Sequence, residues 1–448
     1  MNMKGRLLFF LKNSNIHGLK YTVEDIGWTQ RLFWILSCTL AAIYMVVWCR
    51  ASWQRFKYKP VDVVQETSYL HWNSSFPAIS VCESDADIGA VAELADKLYG
   101  KDHDPDLETF LRDIVYFEGN CYSCQNLCEK TLNCTDNFED MLNKSRLPCQ
   151  KLLRDCTWNG QPLECCKAFR LLATETGPCF TMNSIHTQRS EIRKMSLNMV
   201  TGPGILNFQT TRDVVVYIHS EEDVPFLNHP LQEKELVILG TKICLTFQMA
   251  EVNNDPALYR IPINIRKCKF PKEGGLAMYD HYSYSACVVE CRAAAQLDLC
   301  TCVHHFMPKL KNDTRNTCGI SGLECLTRFS RRLGTLKTPE SSIDGLTCNC
   351  PSSCNELDTI IVSKSAQGNP ADFSDITIKM ESLPKSRFKR FVSLTNLEFA
   401  VYLGGILGLN FGASLLSIVE TVYFIFIRRM DDQETQTIQK TDPRTDET

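Results

Sequence analysis

One apolar run near the C-terminal end constrains this chain more than any other feature, because it is longer than a membrane span requires. It extends from Leu397 to Ile427, and from Phe399 onwards Glu420 is its one charged residue. A straight helix over the charge-poor part would measure roughly 43 Å, against about 30 Å for the hydrocarbon core of a bilayer. We therefore expect a transmembrane helix that is tilted or broken near Gly412.

The same run is rich in small residues. Gly404, Gly408 and Gly412 are spaced four apart, so they would share one face of a continuous helix. Small residues at this spacing let transmembrane helices approach closely. Two interpretations follow: a plain anchor with a packing stripe, or a pore helix whose narrowest part is Gly412-Ala413-Ser414. Hydropathy alone does not choose between them.

The 23 cysteines indicate where the middle of the chain resides. Cys38 and Cys49 lie in or beside an early apolar run, and the other 21 fall between Cys82 and Cys354. The same segment holds four N-glycosylation sequons, at Asn73, Asn133, Asn143 and Asn312. Disulfides and N-glycans belong to oxidising compartments, which predicts an extracellular or lumenal middle segment.

The early apolar run, Leu32–Cys49, has 18 uncharged residues and can just span a bilayer. No cleavable signal peptide precedes it, so we expect an uncleaved signal anchor. Basic residues flank both apolar runs on the side proposed to be extracellular, so the distribution of positive charge does not settle the orientation. The cysteines and sequons place the middle segment outside, and both termini are then assigned to the cytoplasm. The predicted organisation is a cytoplasmic N-terminus (1–31), a first transmembrane helix (32–53), an extracellular domain (54–396), a second transmembrane helix (397–427) and a cytoplasmic tail (428–448).

The extracellular segment is predicted to be a disulfide-rich α+β domain. Alternating β-branched and polar residues predict strands at 76–83, within 199–247, and at 358–366 and 373–382. Apolar stripes predict helices over 85–100 and 108–117, and another over 285–299. A Cys-x-x-Cys pair such as Cys121 and Cys124 would suggest zinc in a cytosolic protein, but in this compartment disulfides are favoured. The cysteines expected in disulfides include Cys82, Cys121, Cys179, Cys268, Cys287, Cys291, Cys300, Cys302, Cys348, Cys350 and Cys354.

The chain carries no recognisable catalytic pattern. It has no nucleophile elbow, HExxH, phosphate loop or dinucleotide fingerprint, so neither an enzyme nor a cofactor or metal site is predicted. The net charge of −4 is too small to imply a nucleic-acid partner. The acidic run Glu221-Glu222-Asp223 is interpreted as a solvated loop, with a proton-sensing role as the alternative.

Several motifs, taken in order, resemble the degenerin/epithelial sodium channel family, which includes the acid-sensing channels. His17-Gly18 matches the family's cytoplasmic His-Gly pair. FPAISVC at 76–82 matches the strand that follows the first span in the family, and TETGPCFTMN at 174–183 matches a second segment of the family's pattern. LGGILGLNFGASLLSIVE at 403–420 matches the signature of the family's second span. The segment RKCKFPKEGGLAMYDHYSYSACVVEC at 266–291 is similar to the invertebrate branch, and the insect pickpocket subunits in particular.

The resemblance implies an acid-sensing-channel-like fold: a β-sheet core with helical subdomains, assembled as a homotrimer or heterotrimer with related subunits in the plasma membrane. It implies sodium selectivity, sensitivity to amiloride-type blockers and a sensory role gated by a ligand or another stimulus. Gly412-Ala413-Ser414 would act as the selectivity filter, and His17 and Gly18 would take part in gating. Gly404, Gly405 and Gly408 would let neighbouring helices pack closely. Glu420 would face the pore or a partner, because burying a carboxylate at membrane depth costs free energy.

Two positions depart from the family pattern at the outer end of the second span. Tyr402 stands where Asp or Asn is frequent, which removes a polar group from the outer mouth. Val401 stands where a small residue is usual and bulky ones favour opening. We therefore expect a subunit biased toward the open state, or one that needs partners with smaller residues there.

One alternative comes from another class of protein. A two-span receptor with a glycosylated ectodomain, which binds lipid or protein and conducts nothing, has the same topology. The second run discriminates between the two, since a receptor does not need Gly404-Gly405, the Gly412-x-Ser414 pattern and Glu420 in one membrane segment.

Overall fold

The structure, a computed structural model, describes residues 3–84, 88–124, 138, 145–187, 195–309 and 316–423, and divides into two compact units. One unit comprises Met1–Asp62 with Phe391–Thr448, and the other comprises Val63–Arg390. The helices are α1 Met3–Asn13, α2 Leu19–Val23, α3 Trp28–Tyr58, α4 Ile88–Tyr99, α5 Pro105–Val115, α6 Cys149–Leu152, α7 Cys165–Ala168, α8 Ile263–Arg266, α9 Tyr284–Cys300, α10 Ile320–Arg328, α11 Ser330–Gly334, α12 Asn396–Phe411 and α13 Leu415–Val422.

The strands form a mixed β core. They are β1 Val61–Glu66, β2 Ser74–Ser75, β3 Ala78–Glu83, β4 Leu153–Trp158, β5 Gln161–Pro162, β6 Arg170–Thr174, β7 Gly177–Met182, β8 Ser196–Leu197, β9 Ile205–Thr210, β10 Val214–His219, β11 Lys234–Val237, β12 Thr241–Asn254, β13 Cys268–Lys269, β14 Ser352–Ser353, β15 Leu357–Gly368, β16 Ser374–Met380 and β17 Arg387–Val392. An eight-stranded sheet runs β1-β17-β12-β16-β9-β4-β5 with β15 also on β12, and a five-stranded sheet runs β11-β10-β3-β7-β6.

Alternating residues of the two sheets build the largest apolar core of the Val63–Arg390 unit. In β9, Leu206 and Phe208 are buried while Asn207 and Gln209, which alternate with them, are half-buried. This is the two-residue period of a strand with one face against a core. The fully buried side chains of this core come from both sheets and include Phe76, Ile79, Val81, Leu206, Phe208, Val214, Val216, Ile218, Leu245, Phe247 and Ile378.

The two strand motifs that carried the family resemblance are neighbours in the five-stranded sheet. Strand β3 pairs with β7 in antiparallel register, with Cys82 opposite Cys179, and these two cysteines form a disulfide. The Ser80 hydroxyl lies 2.7 Å from the Thr181 hydroxyl and 2.8 Å from His219 Nε2, which satisfies three buried polar groups together. The two motifs therefore form adjacent strands of the β core that a disulfide and buried hydrogen bonds hold together.

Helices α4, α5 and α10 surround a second core. Phe110, Ile114 and Leu323 are fully buried there. Helix α5 begins where Asp104 caps it, because the Asp104 carboxylate accepts a hydrogen bond from the backbone N–H of Asp106 at 3.1 Å. The predicted helices over 85–100 and 108–117 agree with α4 and α5 in type, and the structure starts α5 earlier, at Pro105.

Every cysteine that the sequence assigned to a disulfide is paired. The two cysteines four apart on α9, Cys287 and Cys291, bond to Cys350 and Cys348 and join the helix to the chain that leads into β14. The remaining disulfides of the described residues are Cys82–Cys179, Cys121–Cys124, Cys149–Cys166, Cys156–Cys165, Cys268–Cys354, Cys300–Cys325 and Cys302–Cys318. Among the residues described in this unit, Cys244 is a free cysteine.

In the other unit, α3 and α12 contact each other through aromatic side chains. The Phe56 and Phe399 rings stack with centroids 4.5 Å apart, and Trp53 lies 5.7 Å from Phe399. Helix α3 is 31 residues long with a mean hydropathy of 2.1 in its most apolar window, so it extends beyond the predicted 32–53 at both ends. By length and composition, α3 can cross a bilayer, and α12 with α13 can do so as one broken span.

Candidate functional site

The last apolar run is two helices with a bend of 73° between them. Helix α12 ends at Phe411, and Gly412 takes a left-handed conformation with φ 62°. Its N–H still donates to the Gly408 carbonyl at 2.8 Å, which closes the last turn. Left-handed backbone costs an L-residue roughly 1–2 kcal/mol, and glycine avoids that cost. The break therefore lies at the glycine of the small-residue triplet.

Ser414 restarts the helix on the other side of the break. Its hydroxyl accepts a hydrogen bond from the Ser417 N–H at 3.3 Å, and Ser417 Oγ accepts one from the Ser414 N–H at 3.1 Å. This reciprocal arrangement satisfies two donors that a helix start leaves open. Ser414 is thus the N-cap of α13, and the residues 412–414 are non-helical.

This geometry corrects one expectation about the glycine stripe. Gly404 and Gly408 share a face of α12, but Gly412 lies outside the helix and belongs to no helical face. A Cβ added at Gly404 or Gly405 would meet no described atom beyond its own helix turn within 4 Å, and one at Gly408 would meet only the Ala413 carbonyl oxygen at 3.9 Å. Among the described residues of this one chain, no surface packs against the glycine stripe.

The N-terminal His-Gly pair lies directly against the break. The His17 backbone N–H donates a hydrogen bond to the Phe411 carbonyl oxygen at 3.0 Å. A Cβ placed on Gly412 would lie 2.1 Å from His17 Nδ1, closer than any real contact. The His17 loop and the 412–414 segment therefore fit together only because position 412 has no side chain.

Gly18 is required for the same loop to turn. Its φ is 87°, and a Cβ there would lie 2.7 Å from the Cys38 sulfur and 3.7 Å from the Trp34 ring. The chain passes this point between α1 and α2 while packed on α3. The pair thus combines a contact residue, His17, with a glycine that permits the contact.

A second polar contact joins the N-terminal loop to α13. Asn15 Nδ2 donates to Glu420 Oε1 at 3.3 Å. Sequence reasoning missed Asn15, whose position two residues before the His-Gly pair offered the available clue. It also did not anticipate that the N-terminal segment folds back to the break.

The N-terminal end of α12 begins with a capping box. The Thr395 N–H donates to Glu398 Oε2 at 2.7 Å, and the Thr395 hydroxyl accepts from the Glu398 N–H at 3.3 Å. Val401 and Tyr402 follow one turn later, with 66% and 53% of their surfaces exposed in the single chain. Both side chains are thus available to another surface.

The glycosylation predictions fall partly outside the described residues, where Asn133, Asn143 and Asn312 lie. Asn73 is exposed, and its Oδ1 accepts a hydrogen bond from Asn198 Nδ2 at 3.1 Å. No group of three or more metal-ligating side chains occurs among the described residues.

The acidic run at 221–223 is not the solvated loop that the sequence indicated. Glu222 is only 5% exposed. Burial raises the pKa of Asp223, whose Oδ1 accepts a hydrogen bond from the Ser285 hydroxyl at 2.6 Å. Asp223 thus packs against the start of α9, whereas Glu222 Oε1 accepts a hydrogen bond from Asn355 Nδ2 at 2.6 Å.

Comparison with known proteins gives a consistent result over nearly the whole chain. A family model described as amiloride-sensitive sodium channel (ASC) matches residues 10–424. Pickpocket protein 28 of Drosophila melanogaster is 22% identical over 95% of this chain and 79% of its own length. Sodium channel protein Nach of Drosophila ananassae is 21% identical, over 93% of this chain and 86% of its own length.

A vertebrate relative is similar at the same level. Acid-sensing ion channel 4-B of Danio rerio is 22% identical over 94% of this chain and 75% of its own length. A solved proton-activated chloride channel aligns with a TM-score of 0.28 and 8% identity over 88% of this chain and 96% of its own. That structural likeness is too low to carry an argument.

Proposed function

Because the chain belongs to the amiloride-sensitive sodium channel family, whose members are ion channels, we propose that it is a subunit of a trimeric, sodium-selective, amiloride-sensitive cation channel. In this proposal α3 and the α12–α13 pair span the plasma membrane, both termini are cytoplasmic, and residues 63–390 are extracellular. The channel opens in response to a ligand or another stimulus, and its role is sensory.

The observation that carries the proposal is the contact between the His17 loop and the break at 412–414. A plain membrane anchor has no reason to interrupt its helix, since each lost backbone hydrogen bond is costly in hydrocarbon. A break is tolerated where it lines a wet cavity. Three copies of Gly412-Ala413-Ser414 around an axis would present backbone carbonyls that replace part of the water shell of a sodium ion.

Glu420 supports the same function. Glu420 lies in α13, the helix that follows the break, and its carboxylate accepts a hydrogen bond from Asn15 at 3.3 Å. A carboxylate at membrane depth that faces the pore attracts cations to the inner side of the filter. Through Asn15 and His17 the N-terminal loop touches both sides of the break, so a shift of the loop would change the shape of the pathway.

The test is whole-cell recording of the chain, alone and together with a related insect subunit, under acid, stretch and peptide. We expect a current that is larger in external sodium than in potassium and that amiloride reduces. Surface labelling of the same cells measures how much protein reaches the membrane. A chain that reaches the surface but carries no current in either setting would instead be the non-conducting receptor.

A further inference from the structure

The sequon residue Asn73 lies directly across from the start of a turn in the neighbouring strand. Strands β2 and β8 pair in antiparallel register, so the residue before β2, Asn73, lies opposite the residue after β8, Asn198. Asn198 Nδ2 donates a hydrogen bond to Asn73 Oδ1 at 3.1 Å. This contact uses the Asn73 oxygen and leaves free its amide nitrogen, the atom to which an N-glycan is attached.

The turn that Asn198 begins is held by several hydrogen bonds. Asn198 Oδ1 accepts hydrogen bonds from the backbone N–H groups of Val200 and Thr201, at 2.9 and 2.8 Å. The Gly202 N–H closes the turn by donating to the Asn198 carbonyl oxygen at 2.9 Å. From outside the turn, Asn159 Nδ2 donates to the Thr201 carbonyl oxygen at 3.3 Å. The backbone of the turn is therefore fixed from both sides.

The two residues at the tip of this turn are apolar and exposed. Met199 is 55% exposed and Val200 is 95% exposed. Surface turns ordinarily carry Gly, Pro, Asn, Asp or Ser at such positions. Apolar surface in water costs free energy in proportion to its area. A group that packs on both side chains would remove part of that cost.

A sugar on Asn73 is well placed to cover the tip. The ring of N-acetylglucosamine presents C–H groups on its faces, and its acetamido group ends in a methyl, so it can pack on apolar side chains while its hydroxyls stay in water. Its attachment residue is hydrogen-bonded to Asn198, and the tip begins at the next residue, Met199. Ser75 completes the sequon two residues after Asn73. Attachment point and apolar surface are thus adjacent.

We propose that Asn73 carries an N-glycan whose first N-acetylglucosamine packs on Met199 and Val200. In the transfer, Asn73 Nδ2 forms a bond to C1 of that sugar and loses one hydrogen as a proton. The bond from C1 to the lipid-linked diphosphate donor breaks, and the diphosphate leaves with its electron pair. Asn73 Oδ1 can still accept from Asn198. The inference rests on the extracellular placement of residues 63–390 in the proposed function, and not on ion conduction.

The experiment measures oxidation of Met199 by hydrogen peroxide in the full-length protein, produced in eukaryotic cells and held in lipid nanodiscs. Peptide mass spectrometry reports both the sugar on Asn73 and the rate at which Met199 becomes the sulfoxide. Ser75→Ala removes the sequon, and Ser75→Thr is its matched control because threonine also completes one. We expect Met199 to oxidise at least about threefold faster in Ser75→Ala and at the unmodified rate in Ser75→Thr. Met278, half-buried elsewhere in the unit, should oxidise equally in all three proteins.

The sugar analysis separates this inference from the proposed function. An Asn73 without sugar, in a protein glycosylated at another sequon, would overturn the inference and leave the extracellular placement standing. No sugar at any sequon would overturn both. Equal rates of Met199 oxidation with and without the sugar would refute the packing, whether the tip is open or another subunit covers it. If Ser75→Ala does not fold, digestion of the folded protein with peptide-N-glycosidase takes its place and is judged by the same rates.

A double-mutant cycle tests Val200 itself. Val200→Ser should lower the midpoint of thermal unfolding by about 2 °C in the glycosylated protein, because it removes apolar contact with the sugar. In the Ser75→Ala background it should have no such effect, since the side chain then faces water. Leu171→Ser, at another exposed apolar position, is the control and should act alike in both backgrounds. Additive effects of Val200→Ser and Ser75→Ala would show that the sugar and the tip do not touch.

Discussion

The His17 N–H donates a hydrogen bond to the carbonyl oxygen of Phe411 at 3.0 Å. Phe411 is the last helical residue before the chain breaks. This contact places the N-terminal His-Gly pair against the 412–414 segment, some 400 residues later in the chain. It joins two motifs that sequence analysis could only consider separately.

Gly412→Ala should disrupt the site through its side chain and its backbone. The new Cβ would collide with His17, and the left-handed backbone would cost roughly 1–2 kcal/mol. We expect sodium current per surface channel to fall by about tenfold, which corresponds to 1.4 kcal/mol. Gly27→Ala is the control, because its Cβ would meet no atom of the described residues within 4 Å and its φ is −53°. Equal currents from the two variants would refute a tight fit at Gly412.

Asn15→Asp would set two carboxylates about 3.3 Å apart, since Asn15 now donates to Glu420 at that distance. Like charges at this separation repel, so the loop should detach and current should fall. Adding Glu420→Gln should restore part of the loss, because its amide can donate to Asp at position 15. In a double-mutant cycle on open probability we expect a coupling of about 1 kcal/mol. Strictly additive effects would show that the contact plays no role in gating.

Val401→Ala should lower the resting current, if a bulky residue at this position favours the open state. Val401 is 66% exposed on α12 in the single chain, so its side chain is free to meet another subunit. Leu409→Ala, at an 86% exposed position of the same helix, is the control for shortening an apolar side chain. The measurement is resting open probability in patches, and no change on Val401→Ala would contradict the open-state bias.

Glu175→Gln should destabilise the disulfide-rich unit by about 3–5 kcal/mol, because it leaves a buried guanidinium without its counter-charge. Glu175 and Arg292 are 4% and 2% exposed and form an ion pair. Thermal unfolding followed by circular dichroism measures the loss. The control is Glu93→Gln, which breaks an exposed pair with Lys97 and should leave the midpoint unchanged.

A double variant separates the missing charge from the missing contact at this site. Replacing both Glu175 and Arg292 by methionine removes the two charges together and should recover much of the lost stability. A double variant that is as unstable as Glu175→Gln would mean that shape, and not the unpaired charge, causes the loss.

Acid should destabilise the disulfide-rich unit below about pH 6.5. Burial lowers the pKa of His186 to about 4, whereas an unfolded histidine titrates near 6.5. Between these values the unfolded state binds more protons, so this contribution to stability is full above pH 6.5 and is lost as pH falls toward 4. Each such group contributes a slope of about 1.4 kcal/mol per pH unit in that window.

The variant His186→Gln tests the assignment of this slope. Glutamine can still donate to the Glu222 carbonyl, which His186 Nε2 contacts at 2.8 Å. Unfolding free energies measured from pH 7.5 to 4.5 should then depend less on pH. His71→Gln, at an exposed position, is the control substitution. An unchanged slope in His186→Gln would show that other groups cause the acid sensitivity.

Much of the architecture followed from sequence because local patterns suffice for it. The two-residue alternation in β9 and the four-residue spacing of Cys287 and Cys291 are properties of short segments. They predicted the elements without knowledge of neighbours, and the positions of the cysteines and sequons predicted the compartment. The helix-face argument failed at Gly412 for the same reason, since spacing assumes a continuous helix and the glycine ends it.

The sequence by itself determined the disulfide-rich α+β domain, the two apolar runs and the small-residue triplet at which the second run breaks. Tertiary structure alone decided what those residues touch. His17 meets Phe411, Asn15 meets Glu420, and Asp223 is packed beside Ser285. Each of these contacts joins segments far apart in sequence, and such pairs leave no periodic signal in either segment. Their geometry depends on how helices and sheets pack, and that packing is a property of the whole chain.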